Sequence, residues 1–400
     1  MPGTTVSTGT DARGGIPAGY PTDVDALSPL VITALAPNPI PVTGTDGKVH
    51  VVYELEVLNY SPRVATVTRL ETLAGGPDGK VVATLDAEAL AERTNVVMDS
   101  ELKPNPVIPV GRTGVILVDD GYDSVSVVPG SVTHRLSATF APITAENAGG
   151  ISRLWPSGES VSQIGGPVTT SAQSPVVIGP PLAGPGWLAS NGCCGFSTHR
   201  AMLPYAGRIN GGERFAIDWS KVDLTINPLT EASFLKPGGV ATRNEDYLSY
   251  GEPLLAVADG SIVTAISDAP DNTAVGVQPT DIGFADLGGN VVTIDIGNGV
   301  YATYNHLAPG SPTKVGNKVT RGQIIGHLGN AGSSFGPHLH FQLQRSVGSH
   351  MGDNVPFEIN TLTYLGSVGD TDRFTSGPNA GARTNQLPLK RSVVDFPAAP

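Results

Sequence analysis

Short stretches of alternating hydrophobic and polar residues dominate the first part of the chain, and this period of two predicts β-strands. Turn residues, such as the GGPDGK run at 75–80, separate the stretches at intervals typical of a β-sandwich. One run, 86–93, has helical character instead. The predicted strands are 49–61, 64–73, 113–121 and 132–142. We therefore expect a β-sandwich over residues 28–145.

The second half of the chain has a denser series of strand patterns, separated by Gly and Asn turns. Its predicted strands are 213–220, 253–266, 290–298, 301–307, 323–330 and 338–344. They predict a compact antiparallel β-sheet domain over 187–365, so the whole chain is expected to be mainly β. Three segments remain: two polar ones at the ends, and one at 146–186 that is dominated by Gly, Ser, Pro and Val and looks extended at 175–187. They are predicted to be a flexible N-terminal lead (1–27), a linker (146–186) and a C-terminal tail (366–400).

The composition agrees with this picture, because 50 Gly and 34 Pro residues favour short strands and turns. The formal net charge of −12 disfavours nucleic acid as a partner, since phosphate binding needs clustered Lys and Arg. The sequence has no uninterrupted apolar run of about 18 residues, so no membrane span is predicted. The first residues also lack the basic and apolar regions of a secretory signal.

Cys193 and Cys194 are the only cysteines, and they are adjacent. Because a disulfide between neighbours is strained, this pair is not a disulfide framework. The simplest interpretation is two small buried side chains, with a metal or redox role as the alternative.

Four residues in the second half suggest chemistry. His338 and His340 are two apart on a predicted strand, so both imidazoles project from the same face. His306 follows another predicted strand, and Asp218 lies in an otherwise apolar one, where a carboxylate must be paired, hydrogen-bonded or metal-bound. Zinc accepts His nitrogen and Asp oxygen, and a catalytic zinc site activates water for hydrolysis.

The same region resembles the lysostaphin/LytM-type zinc endopeptidases, whose substrates are peptides of bacterial cell walls. The resemblance covers about 187–365, and its motifs occur in the family's order. They are ERFAIDW (213–219), GEPLLAVADGSIV (251–263), GNVVTIDIGNGVYATYNHL (289–307) and KVGNKVTRGQIIGHLGNAGSSFGPHLHFQL (314–343).

This resemblance implies the family fold, a compact antiparallel sheet with a groove, and Zn²⁺ as cofactor. It implies that Asp218 and His340 are metal ligands. It also implies that His306 and His338 handle the proton and the developing oxyanion. The expected substrate is a bacterial cell-wall peptide, which places the action outside the cytoplasm, secreted or cell-wall associated.

One position departs from the family pattern. The family has its first ligand, a His, four residues before the Asp, where this chain has Arg214, whose guanidinium cannot bind zinc. We expect His199 to replace it, because a hairpin of strands 199–206 and 213–218 would bring His199 near Asp218. Glu213, the cysteine pair, or loss of the metal are the alternatives.

Two functions are compatible with these residues. The first is a zinc-dependent endopeptidase that hydrolyses peptide bonds of peptidoglycan. The alternative is a non-catalytic module that keeps the groove and binds cell wall or a partner protein, and a zinc peptidase acting on soluble proteins is a weaker third. Arg200, Arg214 and Asn330 are predicted to contact substrate or to support the ligands.

Overall fold

The computed structural model of the protein describes residues 28–36, 38–97, 103–145, 149–150, 159–205, 207–273, 275–277, 279–310, 312–348 and 352–399. The predicted lead at 1–27 lies outside these residues. The chain divides into two compact units. The first extends to Ser174 and the second from Pro175, except that Val42–Lys48 belongs to the second.

The first part of the chain forms strands of up to eleven residues and one helix within the described residues. The elements are β1 (Leu30–Ala34), β2 (Val42–Thr43, in the second unit), β3 (Val49–Asn59), β4 (Ala65–Ala74), β5 (Val81–Leu85), α1 (Ala87–Arg93), β6 (Thr94–Val96), β7 (Val107–Ile108), β8 (Thr113–Tyr122), a 3₁₀ turn (Val125–Val127), β9 (Ser131–Phe140) and β10 (Ser160–Thr169).

The first unit is a β-sandwich, as predicted. One sheet has the order β1-β3-β8-β6 and the other β10-β9-β4-β5, with β7 also paired to β4. Alternate residues of both sheets, including Leu55 of β3 and Leu70 of β4, meet in a common apolar core. The predicted helix forms as well, and its N-cap Asp86 accepts a hydrogen bond from the backbone N–H of Ala89 at 2.9 Å.

The second unit is built from short strands and 3₁₀ turns. Its elements are β11 (Val176–Ile178), β12 (Trp187–Asn191), a 3₁₀ turn (Thr198–Arg200), β13 (Leu203–Tyr205), β14 (Arg208–Asn210), β15 (Ile217–Lys221), 3₁₀ turns (Glu231–Phe234 and Asn244–Asp246), β16 (Pro253–Leu255), β17 (Gly260–Ile266), a 3₁₀ turn (Phe284–Asp286), β18 (Val291–Asp295), β19 (Tyr301–Asn305), β20 (Lys318–Val319), β21 (Ile324–His327), β22 (Leu339–Gln344), β23 (Phe357–Ile359), β24 (Leu362–Val368), β25 (Phe374–Arg383) and β26 (Ser392–Asp395).

Ten of these strands form one antiparallel sheet in the order β20-β17-β18-β19-β22-β15-β12-β26-β24-β25. Three two-stranded sheets accompany it: β13-β14, β16-β21 and the parallel pair β11-β23. Tyr304, Phe341 and Phe357 are buried and stack edge-on under its centre. The mainly β, antiparallel fold class is therefore confirmed. No helix among the described residues is long and apolar enough to cross a membrane.

Two segments predicted to be a linker and a tail contribute strands to the sheets. The predicted linker contains β10, which pairs with β9, and β11, which pairs with β23. The predicted tail contains β25 and β26. β26 has only four residues, too few to display an alternating pattern, and β25 is a mostly exposed edge strand without an apolar face.

Some predicted strand limits were also wrong. The predicted strand 213–220 begins only at Ile217, and residues before it form turns, so Arg214 does not share a strand with Asp218. The predicted strand 253–266 is two strands, β16 and β17, divided by residues 256–259.

Candidate metal and active site

Asp218 lies at the centre of a cluster of polar side chains on the ten-stranded sheet. Its strand, β15, runs between β22 and β12, and the register places His340 opposite it on one side and Asn191 on the other. Oδ1 of Asp218 lies 3.0 Å from Nδ1 of His340. Oδ2 accepts a hydrogen bond from Nδ2 of Asn191 at 2.8 Å and lies 3.0 Å from Nε2 of His199. Both carboxylate oxygens are thus engaged by groups from three segments.

His199 reaches Asp218 from a 3₁₀ turn. Its Nδ1 lies 3.3 Å from the carbonyl oxygen of Ala216, which accepts a hydrogen bond from a protonated Nδ1 and leaves Nε2 facing the carboxylate. The predicted hairpin was wrong in form, because the hairpin here is the small β13-β14 pair. His199 precedes that hairpin, and the ladder partners of Asp218 are Asn191 and His340.

His199, Asp218 and His340 form a candidate metal-binding group. One donor atom of each lies within 4.8 Å of the others, and all three residues are buried. The rings of His199 and His340 meet edge to face with centroids 4.8 Å apart. Two imidazoles and one carboxylate are a donor set that zinc accepts, and three protein ligands are the usual number at a catalytic site.

His306 and His338 lie side by side next to this group, with ring centroids 4.7 Å apart. Nδ1 of His306 donates to the carbonyl of Ala331 at 2.8 Å, and Nδ1 of His338 donates to the carbonyl of Gly336 at 2.8 Å. Each ring therefore directs its Nε2 away from the backbone. Nε2 of His338 lies 3.5 Å from Oδ1 of Asp218.

Burial and mutual charge set the protonation of this cluster. Burial alone would raise the pKa of Asp218, but the charges of His199 and His338 and their hydrogen bonds hold it well below its usual range. Burial, reinforced by His338 and His340, lowers the pKa of His306 well below its ordinary value. Asp218 is therefore ionised and His306 neutral at neutral pH.

Burial also acts to lower the pKa of His340, but its hydrogen bond to Asp218 and the charge of Glu213 outweigh burial and raise that pKa to about 9. Because a metal ligand must be unprotonated, a cation bound here takes the place of the proton on His340 Nδ1. Whether His340 carries this proton or a cation replaces it, a positive charge lies beside Asp218.

The other sequence-predicted residues, Arg200, Arg214 and Asn330, are all buried. Arg200 is buried, and its Nη1 donates to the carbonyl of Cys194 at 2.5 Å. Arg214 is buried in the turn before β15. Asn330 is buried and joins two loops, with its backbone N–H donating to Asp271 at 2.7 Å and its Nδ2 donating to Asn244 at 2.9 Å.

Cys193 and Cys194 are buried as expected, but they are joined in a disulfide. The pair was predicted to be two separate side chains, because a bond between neighbours is rarely formed. A disulfide offers no thiolate, so in this form the pair does not supply the missing ligand.

The sequence interpretation missed two residues that contact the cluster. Asn191 binds Asp218, and Gln342 accepts from Nε2 of His340 at 3.2 Å. Asn191 carries no motif, since only the strand pairing brings it to Asp218. Gln342 had a usable signal, because it continues the alternation of His338 and His340 on the same strand face.

Residues 246–353 match the family model of Peptidase family M23. His306, His338 and His340 lie inside the matched range, and His199 and Asp218 precede it. Among curated proteins, the chain is 31% identical over 151 residues to lysostaphin of Staphylococcus staphylolyticus, covering 37% of this chain and 27% of that protein. It is 28% identical over 186 residues to the glycyl-glycine endopeptidase ALE-1 of Staphylococcus capitis, covering 46% of this chain and 38% of that protein.

A shorter match, 49% identical over 55 residues, is to the peptidoglycan DD-endopeptidase ShyA of Vibrio cholerae, covering 14% of this chain and 13% of that protein. The chain therefore spans less than two fifths of the length of these relatives. Among solved structures, the catalytic domain of lysostaphin from Staphylococcus simulans matches with 25% identity and a TM-score of 0.22, over 38% of this chain and 84% of that one. The family match and the curated relatives show that the second unit contains a peptidase family M23 domain at residues 246–353.

Proposed function

We propose that the second unit is a zinc-dependent endopeptidase that hydrolyses peptide bonds of bacterial cell-wall peptidoglycan. The observation that carries this proposal is the convergence of His199, Asp218 and His340 on one point, with His306 and His338 beside it. Metal-assisted hydrolysis needs residues that hold the metal and residues beside it that handle protons, and the cluster offers both.

His199, Asp218 and His340 would hold the ion, through Nε2, a carboxylate oxygen and Nδ1 respectively. In this assignment His199 takes the place of the family's first ligand, whose position is Arg214. Bound there, Zn²⁺ supplies Lewis-acid polarisation of the scissile carbonyl and makes water a nucleophile near neutral pH.

His306 and His338 would handle protons and charge. Their Nδ1 atoms are fixed on backbone carbonyls, so each Nε2 is available to a substrate or a water molecule. Burial lowers the pKa of His306 and keeps the ring neutral, so its Nε2 is an acceptor that can receive a hydrogen bond from water or substrate. His338 lies next to the Asp218 carboxylate, and in its imidazolium form its Nε2 would donate to the developing oxyanion.

The substrate class is proposed from the relatives, one of which is named a glycyl-glycine endopeptidase and another a peptidoglycan DD-endopeptidase. Peptidoglycan lies outside the cytoplasmic membrane, so the proposed site of action is extracytoplasmic, secreted or cell-wall associated. The partner is accordingly a bacterial cell-wall peptide.

A second candidate function is a non-catalytic module that binds cell wall or a partner protein. Arg214 favours it, since the residue at the family's ligand position cannot bind metal. The two functions differ in metal content, so one measurement on the purified protein separates them.

The first prediction is that the protein binds one Zn²⁺ and that His199→Ala loses it. Removing one of three ligands should lower zinc affinity about as much as His340→Ala does, because two remaining ligands hold zinc poorly. Elemental analysis and competition with a chromophoric chelator measure this. His327→Ala, which removes an exposed histidine of β21, is the matched control and should bind as the parent does.

Arg214→His in the His199→Ala background should recover part of the affinity, since it restores the family's usual residue. A His199→Ala protein that retains stoichiometric zinc would contradict the ligand assignment and direct attention to Glu213. A parent protein without zinc after reconstitution, with no cleavage of purified peptidoglycan, would favour the non-catalytic module. Cleavage of soluble protein but not of peptidoglycan would reject the substrate class alone.

A further inference from the structure

One face of β22 carries an unbroken row of buried polar side chains. His340, Gln342 and Gln344 are each two residues apart, so they project to the same face, and all three are buried. Nε2 of His340 lies 3.2 Å from Oε1 of Gln342, and Nε2 of Gln342 lies 2.5 Å from Oε1 of Gln344. The row begins at a proposed metal ligand and extends away from it.

The contacts of Gln344, at the far end of the row, determine which group donates and which accepts in each hydrogen bond of the row. Nε2 of Gln344 donates to the backbone carbonyl of Ser346 at 3.0 Å and also contacts the carbonyl of Gly348. A carbonyl oxygen can only accept, so the amide NH₂ of Gln344 must face these two groups. Its Oε1 then faces Gln342, which must present its own NH₂ in return. This orientation leaves Oε1 of Gln342 as the atom that faces His340.

We infer that Gln342 is a positioning residue that keeps a proton on Nε2 of His340 and so reserves Nδ1 for the metal. The inference rests on the proposed zinc site. Two backbone carbonyls set the orientation of Gln344, Gln344 sets that of Gln342, and Gln342 sets which nitrogen of His340 is a donor. An outer partner of this kind fixes the tautomer and ring orientation of a ligating histidine.

Glu213 contributes to the same end of the ring. Its Oε1 lies 3.8 Å from Nε2 of His340, so a second acceptor, a charged one, faces that nitrogen. The opposite nitrogen, Nδ1, faces the carboxylate of Asp218 at 3.0 Å. The ring is thus held between an outer pair of acceptors and the metal-binding group.

Gln342→Met tests the inference, because methionine has a similar length and accepts only weakly. In metal-free protein with ¹⁵N-labelled histidine, the parent should show an Nε2–H signal of His340 that exchanges slowly with solvent. The variant should lose this protection, and its zinc affinity should fall about 10- to 100-fold, the usual effect of removing an outer partner.

Gln163→Met is the control for the substitution itself, since Gln163 is a half-buried glutamine of the first unit whose Nε2 donates to Leu30. It should leave both readouts unchanged. If Gln342→Met keeps the protected signal and the parent zinc affinity, the positioning role is overturned. If the parent shows the protected signal but binds no zinc, the hydrogen-bond row stands and the proposed function fails.

Discussion

At the scale of single residues, the cluster depends on how one carboxylate is used. Asp218 is buried in an apolar strand, and each of its oxygens has a partner of opposite or complementary polarity. That an aspartate in such a strand needs partners could be predicted from the sequence, because an unpaired buried charge is too costly. That Asn191 is one of these partners could not be predicted, since only strand pairing brings it to Asp218.

The second prediction separates the two histidines of the His-x-His motif. His340→Ala should remove zinc and activity together, because it deletes a proposed ligand. His338→Ala should keep zinc while turnover falls about 10²- to 10⁴-fold, the usual range for a proton-handling or oxyanion-stabilising group. Zinc content by elemental analysis and cleavage rates on purified peptidoglycan measure the two effects. Equal loss of zinc in both variants would show that the division of roles is wrong.

The four residues first singled out, Asp218, His306, His338 and His340, are brought together by the structure, and their individual roles stay predictions. Period-two alternation was sufficient to pair His340 of β22 with His338, the residue just before that strand, and apolar flanks were sufficient to mark Asp218. His199 was predicted near Asp218 for a reason that was wrong in detail. Its 3₁₀ turn has no periodic signal, so only tertiary contacts could define the approach.

At the scale of elements, the sequence predicted long alternating strands well and short or exposed ones poorly. The predicted limits of β3, β8 and β9 in the sandwich are close to the observed ones, because each is a long strand with mostly buried residues. β26 was missed, although it lies inside the sheet between β12 and β24. Its Val393 and Val394 are fully buried, and four residues in a Pro-rich context gave no recognisable pattern.

The third prediction follows from the position of β26. Val394→Ala should destabilise the second unit by about 2 kcal/mol, because it removes two buried methyl groups and leaves a cavity. Val347→Ala, at a side chain 44% exposed, should change stability by less than about 0.5 kcal/mol. Thermal unfolding followed by circular dichroism compares the two. If residues 366–400 were a dispensable tail, Val394→Ala and Val347→Ala would unfold at the same temperature.

At the scale of the whole molecule, and among the residues that the structure describes, the first unit differs from the second in having a buried Tyr–His–Asp network whose stability contribution depends on pH. The hydroxyl of Tyr53 lies 2.7 Å from Nε2 of His134 and 3.1 Å from Oδ2 of Asp120. Nδ1 of His134 donates to the carbonyl of Gly166 at 2.7 Å, so its Nε2 is the acceptor. Tyr53 has one proton for two acceptors. Protonation of Asp120 satisfies all of them, with Asp120 donating to Tyr53 and Tyr53 to His134.

Burial raises the pKa of Asp120 from 3.8 to about 6, and burial lowers the pKa of His134 from 6.5 to about 4. As pH falls from about 6 to about 4, folded Asp120 takes up a proton before the unfolded chain does, which increases stability. Over nearly the same interval, unfolded His134 takes up a proton before the folded one does, which decreases stability. The two effects oppose each other, so the parent unit should vary little in stability across this window.

The fourth prediction is that Asp120→Asn reveals the histidine effect alone. Stability of the sandwich should then fall as pH drops from about 6.5 to about 4, because the neutral amide no longer gains a proton. Hydrogen–deuterium exchange of the β3, β8 and β9 amides, corrected for intrinsic rates, measures this unit separately. Asp86→Asn keeps the helix cap and is the control. Equal pH profiles for Asp120→Asn and the parent would contradict the proposed compensation.

The strand order of the ten-stranded sheet has a kinetic consequence. β15 pairs with β22 and β12 pairs with β26, so neighbours in the sheet are far apart in sequence. Such pairings close long loops before they contribute stabilising contacts, and folds rich in them form slowly, commonly in milliseconds to seconds. His199 and Asp218 meet His340 only when β15 and β22 have paired. Zinc uptake during refolding should therefore lag behind chain collapse. The rate of zinc uptake would then report the rate at which β15 pairs with β22.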